Sequence, residues 1–312
     1  MRVVITGGAG FIGANLCRRL LGTPGVTEVI VLDDLSTGSR ANLEGLPISF
    51  VEGSITDDSA LDAAFEGASA VVHLAALGSV PRSVLDPLAS HHANATGTLM
   101  MLEASRRHGN LHTIVASSSS VYGSNPVLPK HEDLACRPMS PYAATKLVTE
   151  GYALAYGAAY ALPVLAFRFF NVFGPLQPAG HAYAAVIPAF VDAALRGEPM
   201  TIHGDGMQSR DFTYVGTLTA VLAEAVTRQV TSVDPVNLAF GTRVSLLDAV
   251  AELETILGHE LPRQHTDNRI GDVPHSQADN SRLLALFPGL RPVAFEDGLR
   301  ATVGWMRTVH RG

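Results

Sequence analysis

Five residues, Arg2-Val3-Val4-Ile5-Thr6, read as a buried strand that runs directly into Gly7-Gly8-Ala9-Gly10-Phe11-Ile12-Gly13, after which apolar periodicity marks a helix over 14–21. Strand, glycine loop and helix in that order leave the chain few folds to adopt. The glycines permit a tight turn, close approach of backbone to a ligand, and close packing of helix on strand. The helix N-terminus then offers free N–H groups and its positive dipole end to a pyrophosphate. A glycine string alone is a weak signal; the flanking strand and helix give it weight. A second strand follows at 28–32, and Asp33 at its end lies twenty residues beyond Gly13. An acid at that spacing suits the hydroxyls of an adenosine ribose and repels a 2′-phosphate, so NAD is favoured over NADP. Arg40, close in sequence, weakens that preference slightly.

The alternation continues. Strands are expected at 51–55, 70–76, 113–116 and 163–168, with helices over 93–107 and from Tyr142 to about Tyr160. The chain is rich in small and aliphatic residues and only 6% aromatic, as suits buried parallel strands covered by helices. The pattern predicts an α/β fold: a doubly wound parallel sheet with a smaller α/β C-terminal substrate lobe. The dinucleotide-binding domain is assigned to 1–171 and about 213–241, and the lobe to 172–212 and about 242–312. In the second half, a strand at 201–203, helices over 184–196, 215–227 and 246–257, a strand at 236–239 and a last helix including 295–307 are expected.

A formal net charge of -7 argues against a general affinity for nucleic acid or anionic membranes. Cys17 and Cys136 form no disulfide framework and lack metal-ligand spacing, and Cys17 suits a core position. His73 reads as a packed histidine, since no second ligand is suitably spaced, and no metal is expected. His91 and His92 read as surface or interface residues. No apolar run spans a bilayer, and the chain opens on a strand with no signal peptide, which predicts a cytoplasmic protein.

Ser140-Pro141-Tyr142-Ala143-Ala144-Thr145-Lys146 carries the chemistry. Ser140 is a good N-cap, Pro141 fits the first helical position, and Tyr142 and Lys146 share a helical face. A phenol with a pKa of about 10 is a poor base at neutral pH; a lysine ammonium one turn away, and a cationic cofactor ring, would lower it. Upstream, Ser117-Ser118-Ser119-Ser120 places four hydroxyls at the end of a parallel strand, where such sheets bind ligands. Taken singly, the heptapeptide also reads as a surface helix and the serine run as a plain loop.

In order and spacing, these elements resemble the extended short-chain dehydrogenase/reductase superfamily over nearly the whole chain. The likeness is strongest to NAD-dependent nucleotide-sugar 4-epimerases acting on UDP-N-acetylglucosamine. Leu77-Gly78-Ser79-Val80-Pro81-Arg82-Ser83, Arg168-Phe169-Phe170-Asn171-Val172-Phe173-Gly174-Pro175, Ala182-Tyr183-Ala184-Ala185-Val186-Ile187-Pro188 and Ser209-Arg210-Asp211-Phe212 carry it. The resemblance implies that Tyr142 is the base at the sugar 4-hydroxyl and that Lys146 holds the nicotinamide ribose. Ser118, with Ser119 beside it, would bond the 4-oxygen. Gly7, Gly10, Phe11, Ile12, Gly13, Asp33, Asp34, Ser36, Thr37, Gly38, Ser54 and Ile55 would surround the adenosine half of NAD. Leu74, Ala75, Ala76, Asn94, Ser117 and Phe169 would lie near the other half. Ser79, Arg82, Asn171, Ala185, Val186, Ile202, His203, Arg210, Arg269, Asp272 and Ser276 would hold the UDP-sugar.

Ser276 falls where the resemblance implies a gate beside the sugar, and a small residue there leaves room for a 2-N-acetyl group. UDP-N-acetylhexosamines are therefore expected, with UDP-glucose and UDP-galactose as further substrates. The chain departs from the pattern at Ser54, where many relatives carry aspartate, at Gly78 for lysine, at Leu176 for arginine and at Phe169 for tyrosine. Ser119 and Ser120 stand where a sugar dehydratase needs an acid–base pair, which disfavours that activity. A UDP-glucuronate 4-epimerase or decarboxylase remains an alternative, as does a non-catalytic dinucleotide-binding sensor. The resemblance also implies a homodimer, through the helices after Asn94 and after Tyr142.

Overall fold

Alternate residues of each central strand enter opposite apolar layers. Val3 and Ile5 face one layer and Val4 the other; Val29 and Val31 are likewise separated from Ile30 and Leu32. Burial on both faces is why these segments read as unbroken aliphatic runs. The computed structural model describes residues 1–179, 184–267 and 275–310. Its main sheet contains β1 (Arg2–Thr6), β2 (Glu28–Asp33), β3 (Ser49–Glu52), β4 (Ala70–His73), β5 (His112–Ser118), β6 (Val164–Phe169) and β11 (Val236–Leu238). All pairings are parallel, in the order β11-β6-β5-β4-β1-β2-β3.

One layer is closed by α1 (Phe11–Leu21), α8 (Val215–Arg228) and α10 (Ser281–Leu286). The other is closed by α2 (Asp58–Phe65), α5 (Gly97–Arg107) and α6 (Pro141–Tyr160). Cys17 is fully buried in the first layer. The smaller lobe packs α7 (Val186–Arg196), α9 (Leu246–Leu257) and α11 (Phe295–Val309) into a third core. Its ribbons pair β7 (Val172–Phe173) with β10 (Thr213–Tyr214), β8 (Met200–His203) with β13 (Arg263–Thr266), and β9 (Ser209–Arg210) with β12 (Val244–Ser245). Among the described residues, no helix is long and apolar enough to cross a membrane.

Three local expectations change. The third strand lies at 49–52 and ends before Gly53, whose N–H donates to Asp33 O at 3.1 Å. Ser54 and Ile55 consequently turn toward the cleft instead of extending the strand. The helix expected from 93 begins earlier, as α3 (Val80–Leu85) and then α4 (Pro87–His91), the latter capped by Asp86. It passes through a π-helical turn at His92–Thr96 into α5. Helix α2, capped by Asp57, was not visible as periodicity in the sequence because its apolar stripe is only two turns long.

Candidate active site

From β1 the chain builds β2 and β3 on one side and β4 to β6 on the other, so strand order reverses between β1 and β4. Doubly wound sheets bind ligands at that point, and here it opens into a cleft of about 810 Å³. Its glycines differ in what they accommodate. Gly7 has φ +72°, and a Cβ there would lie 2.6 Å from Ala75 N. At Gly13 a Cβ would lie 2.2 Å from Gly7 O. Both are fixed by internal packing. At Gly10 a Cβ would meet only Gly7 O at 3.3 Å, and the residue lines the cleft, so its bare face is turned toward whatever lies there. Gly10 also begins α1 without a side-chain cap. An uncapped helix N-terminus and an open glycine face are the donor set a dinucleotide pyrophosphate requires.

Asp33 closes the far end. Its carboxylate accepts from Ala9 N at 2.8 Å and Leu35 N at 2.9 Å. Burial pushes the carboxyl pKa up, and these two amides pull it the other way. Gly38 stands behind the acid, where a Cβ would lie 3.0 Å from Asp33 Oδ1. Phe11, Ile12, Asp34, Ser36, Thr37, Ser54 and Ile55 line the same end, and Leu74, Ala75, Ala76, Ser117 and Phe169 line its middle.

At the other end, Ser140 Oγ accepts from Ala143 N at 3.1 Å and starts α6 with Tyr142 in its first turn. Ser118 stands beside the Tyr142 phenol, and both line the cleft. Ser118 Oγ itself accepts from Ser120 Oγ at 2.9 Å and Ser120 N at 3.2 Å, which anchor it. Ser119 lies beside this pair but outside the cleft lining. Lys146 is 5% exposed and donates from Nζ to Ala116 O at 2.9 Å. Burial lowers its pKa to about 8, so it is still mostly cationic at neutral pH. Burial raises the Tyr142 phenol above its ordinary value, with Ser118 opposing that rise. Desolvation is thus the largest influence of the chain itself on the phenol, with Lys146 one turn further along α6.

Asn94 lies behind the wall. Its Oδ1 accepts from Leu77 N at 2.7 Å, and its Nδ2 donates to Leu77 O at 3.1 Å and Thr145 Oγ1 at 3.0 Å. Asn94 sits in the π-helical turn, and its bonds to Leu77 tie that turn to the β4–α3 loop. His73 is buried between Thr6 (2.7 Å) and Thr98 (3.1 Å), and burial pushes its pKa down to about 3. It is a packed neutral histidine. Among the described residues, no cluster of metal-ligating side chains occurs.

On the substrate side, Ser79, Arg82, Asn171 and Ala185 line the cleft. Ile202 does not: it is fully buried in the third core. Val186 packs against that core at the start of α7, and His203 Nδ1 faces Thr266 Oγ1 at 2.9 Å. Arg210 on β9 donates to Ser209 O, and Ser276 N to the same oxygen at 3.0 Å; neither side chain is part of the cleft lining. Arg269 and Asp272 lie outside the described residues. Gln177 was missed from sequence. It lines the cleft, donates from Nε2 to Val172 O at 3.1 Å, and leaves Oε1 buried without a partner among the described residues. Its position just after the Asn171 motif was the available signal. Thr56, Leu77, Gly78, His92 and Pro178 also line the cleft.

A phenol oriented by a serine and backed by a lysine, at one end of a dinucleotide cradle, can take the proton of a carbinol whose hydrogen leaves as hydride. That capability defines a nicotinamide-dependent enzyme of the short-chain dehydrogenase type. The model of the NAD dependent epimerase/dehydratase family matches residues 3–239, and the chain belongs to that family. The UDP-glucose 4-epimerase of Mycolicibacterium smegmatis is 34% identical over 313 residues, covering 98% of this chain and 99% of the relative. The structure of UDP-N-acetylglucosamine 4-epimerase from Methanobrevibacter ruminantium M1, in complex with UDP-N-acetylmuramic acid, superposes with a TM-score of 0.92 at 35% identity, covering 99% of this chain and 98% of that one. UDP-glucuronic acid 4-epimerase from Bacillus cereus, solved with UDP-glucuronic acid and NAD, gives a TM-score of 0.89 at 29% identity, covering 99% and 100%. NAD is the dinucleotide that the cradle accommodates.

Proposed function

We propose that the chain epimerises UDP-hexoses at C4, with UDP-N-acetylglucosamine and UDP-N-acetylgalactosamine its principal substrates and UDP-glucose and UDP-galactose accepted as well. The observation that carries this reading is the Ser118–Tyr142 pair facing the same cleft as the Gly10 cradle and Asp33. NAD, when bound, would supply the hydride acceptor for C4. Tyr142 takes the 4-hydroxyl proton and gives it back, Ser118 orients the 4-oxygen, and Lys146 supplies positive charge behind the phenol. Asn171 and Arg210 belong to the grip on the UDP moiety, an arginine fork suiting phosphate oxygens. A firm hold on the nucleotide and a loose hold on the sugar let the 4-keto ring turn over between the two hydride transfers.

Purified protein incubated with UDP-N-acetylglucosamine should produce the galacto epimer, read by NMR. Ser276→Tyr should remove that activity and retain turnover of UDP-glucose; equal loss on both sugars would overturn the role of Ser276. Arg82 in the cleft lining is the observation that favours a second reading, since its guanidinium could meet a C5 carboxylate. Turnover of UDP-glucuronate without turnover of the N-acetylhexosamine would establish that reading instead. NAD bound with no turnover of any UDP-sugar would favour a sensor.

The same reading places a homodimer contact on α5 and α6, where Tyr152 and Tyr160 are exposed. Sedimentation velocity should give twice the 32.9 kDa chain mass; the single-chain mass at micromolar concentration would overturn it.

A further inference from the structure

Asp211 is fully buried and does not line the cleft, so the reaction has no direct use for its carboxylate. Its acceptor sites are nonetheless filled. Oδ1 accepts from Thr242 Oγ1 at 3.0 Å and from Phe240 N at 3.4 Å, and Oδ2 from Gly241 N and Ala278 N at 3.0 Å each. Four contacts match the lone-pair sites of one ionised carboxylate. Burial pushes the carboxyl pKa up, and all four donors work against that rise. Asp211's own carbonyl oxygen accepts from Asn171 Nδ2 at 3.2 Å.

These bonds reach three separate stretches of chain: the cleft-lining Asn171, the loop after β11, and the segment that carries Ser276. That segment is extended. Its alternate amides, Ser276 N and Ala278 N, donate to Ser209 O and to the Asp211 carboxylate in turn. The carboxylate thus takes the next place in a ladder that β9 ends too early to complete. On the other side, Gln277 O accepts from Lys130 N at 2.8 Å. An extended segment that slips by one residue turns its side chains to the opposite face. Fixing Ala278 therefore fixes which way Ser276 points.

We propose that Asp211 is a positioning residue for substrate fit, holding the Asn171 turn and the Ser276 segment in a fixed relation across the sugar side of the cleft. The proposal rests on the reading of this cleft as a UDP-sugar site. It requires that loss of the carboxylate weaken substrate binding while leaving the Ser118–Tyr142–Lys146 chemistry intact.

Asp211→Asn tests this, because it keeps the shape and one acceptor but sets an NH₂ group where donors converge. The expected result is a KM at least fivefold higher for the UDP-sugar the wild type turns over, kcat within twofold, and NAD content unchanged. Amide exchange at Gly241 and Ala278 should be at least tenfold faster, with α6 unaffected. Should Asp211→Asn fail to fold, Thr242→Val removes one donor and should move KM and exchange in the same directions by twofold or more. Unchanged exchange at Ala278, or a loss confined to kcat, overturns the proposal. The exchange measurement needs no substrate, so its outcome is separable from any failure of the UDP-N-acetylhexosamine assignment.

Discussion

Tyr142→Phe should lower kcat by roughly 10²–10⁴-fold, the range a positioned acid–base group contributes, while the protein still purifies with NAD. The substitution removes one oxygen from a half-buried ring and leaves the glycine cradle, Asp33 and Lys146 in place. Ser118 remains anchored by Ser120. The pH profile carries more information than the rate. The phenolate is the form that accepts a proton, so wild-type kcat must fall as pH drops below the operative phenol pKa. Burial raises that pKa in the chain itself, while Ser118 opposes the rise. Lys146, with a pKa of about 8, is deprotonated above that value and then withdraws its positive charge. The acidic limb should therefore vanish in Tyr142→Phe, leaving a slow rate that is flat with pH on that side. Progress curves by NMR across pH, with NAD content read by absorbance, measure both. Wild-type rates in the variant, or an acidic limb that persists, would remove Tyr142 from this role.

What could be read in advance follows from how local each feature is. Arg2–Thr6, the glycine loop and Asp33 are contiguous or evenly spaced, and their reasons are local: burial on both faces, a left-handed turn at Gly7, a helix start at Gly10. Ser140, Pro141, Tyr142 and Lys146 likewise obey helix geometry alone. The features that escaped are those decided by distant chain. The bonds of Asn94 to Leu77 and to the distant Thr145 could not be read from its own stretch of sequence. Ile202 sits one residue from His203 on β8, and strand alternation buries the first and half-exposes the second. The alternation of apolar Met200 and Ile202 with polar Thr201 and His203 carried that phase. The phenol shows a limit of another kind. Charge spacing placed Lys146 one turn from Tyr142, whereas the burial that raises the phenol is supplied only by the folded chain.

Glu150 extends the face that presents Tyr142 and Lys146 by one more turn of α6, and there the helix is bolted to the sheet. Its carboxylate accepts from Arg168 Nη2 at 2.6 Å and Nε at 2.9 Å, with both residues under 5% exposed. Arg168 also donates to Glu132 O at 3.2 Å and stacks on Tyr122, 4.7 Å from the ring centroid. Glu150→Ala would leave that guanidinium buried without its counter-charge, a defect that costs about 3–5 kcal/mol. At roughly 2–4 °C per kcal/mol for chains of this order, the melting temperature should fall by roughly 6–20 °C. The companion variant separates pairing from packing. Glu150→Leu combined with Arg168→Met replaces both charges by apolar groups of similar length, and buried pairs exchanged this way are often close to neutral. It should recover most of the lost stability, short of the bond to Glu132 O. A double variant no more stable than Glu150→Ala would mean that Arg168 acts mainly through Glu132 and Tyr122. The helix bearing Tyr142 would then be held to β6 by something other than this ion pair.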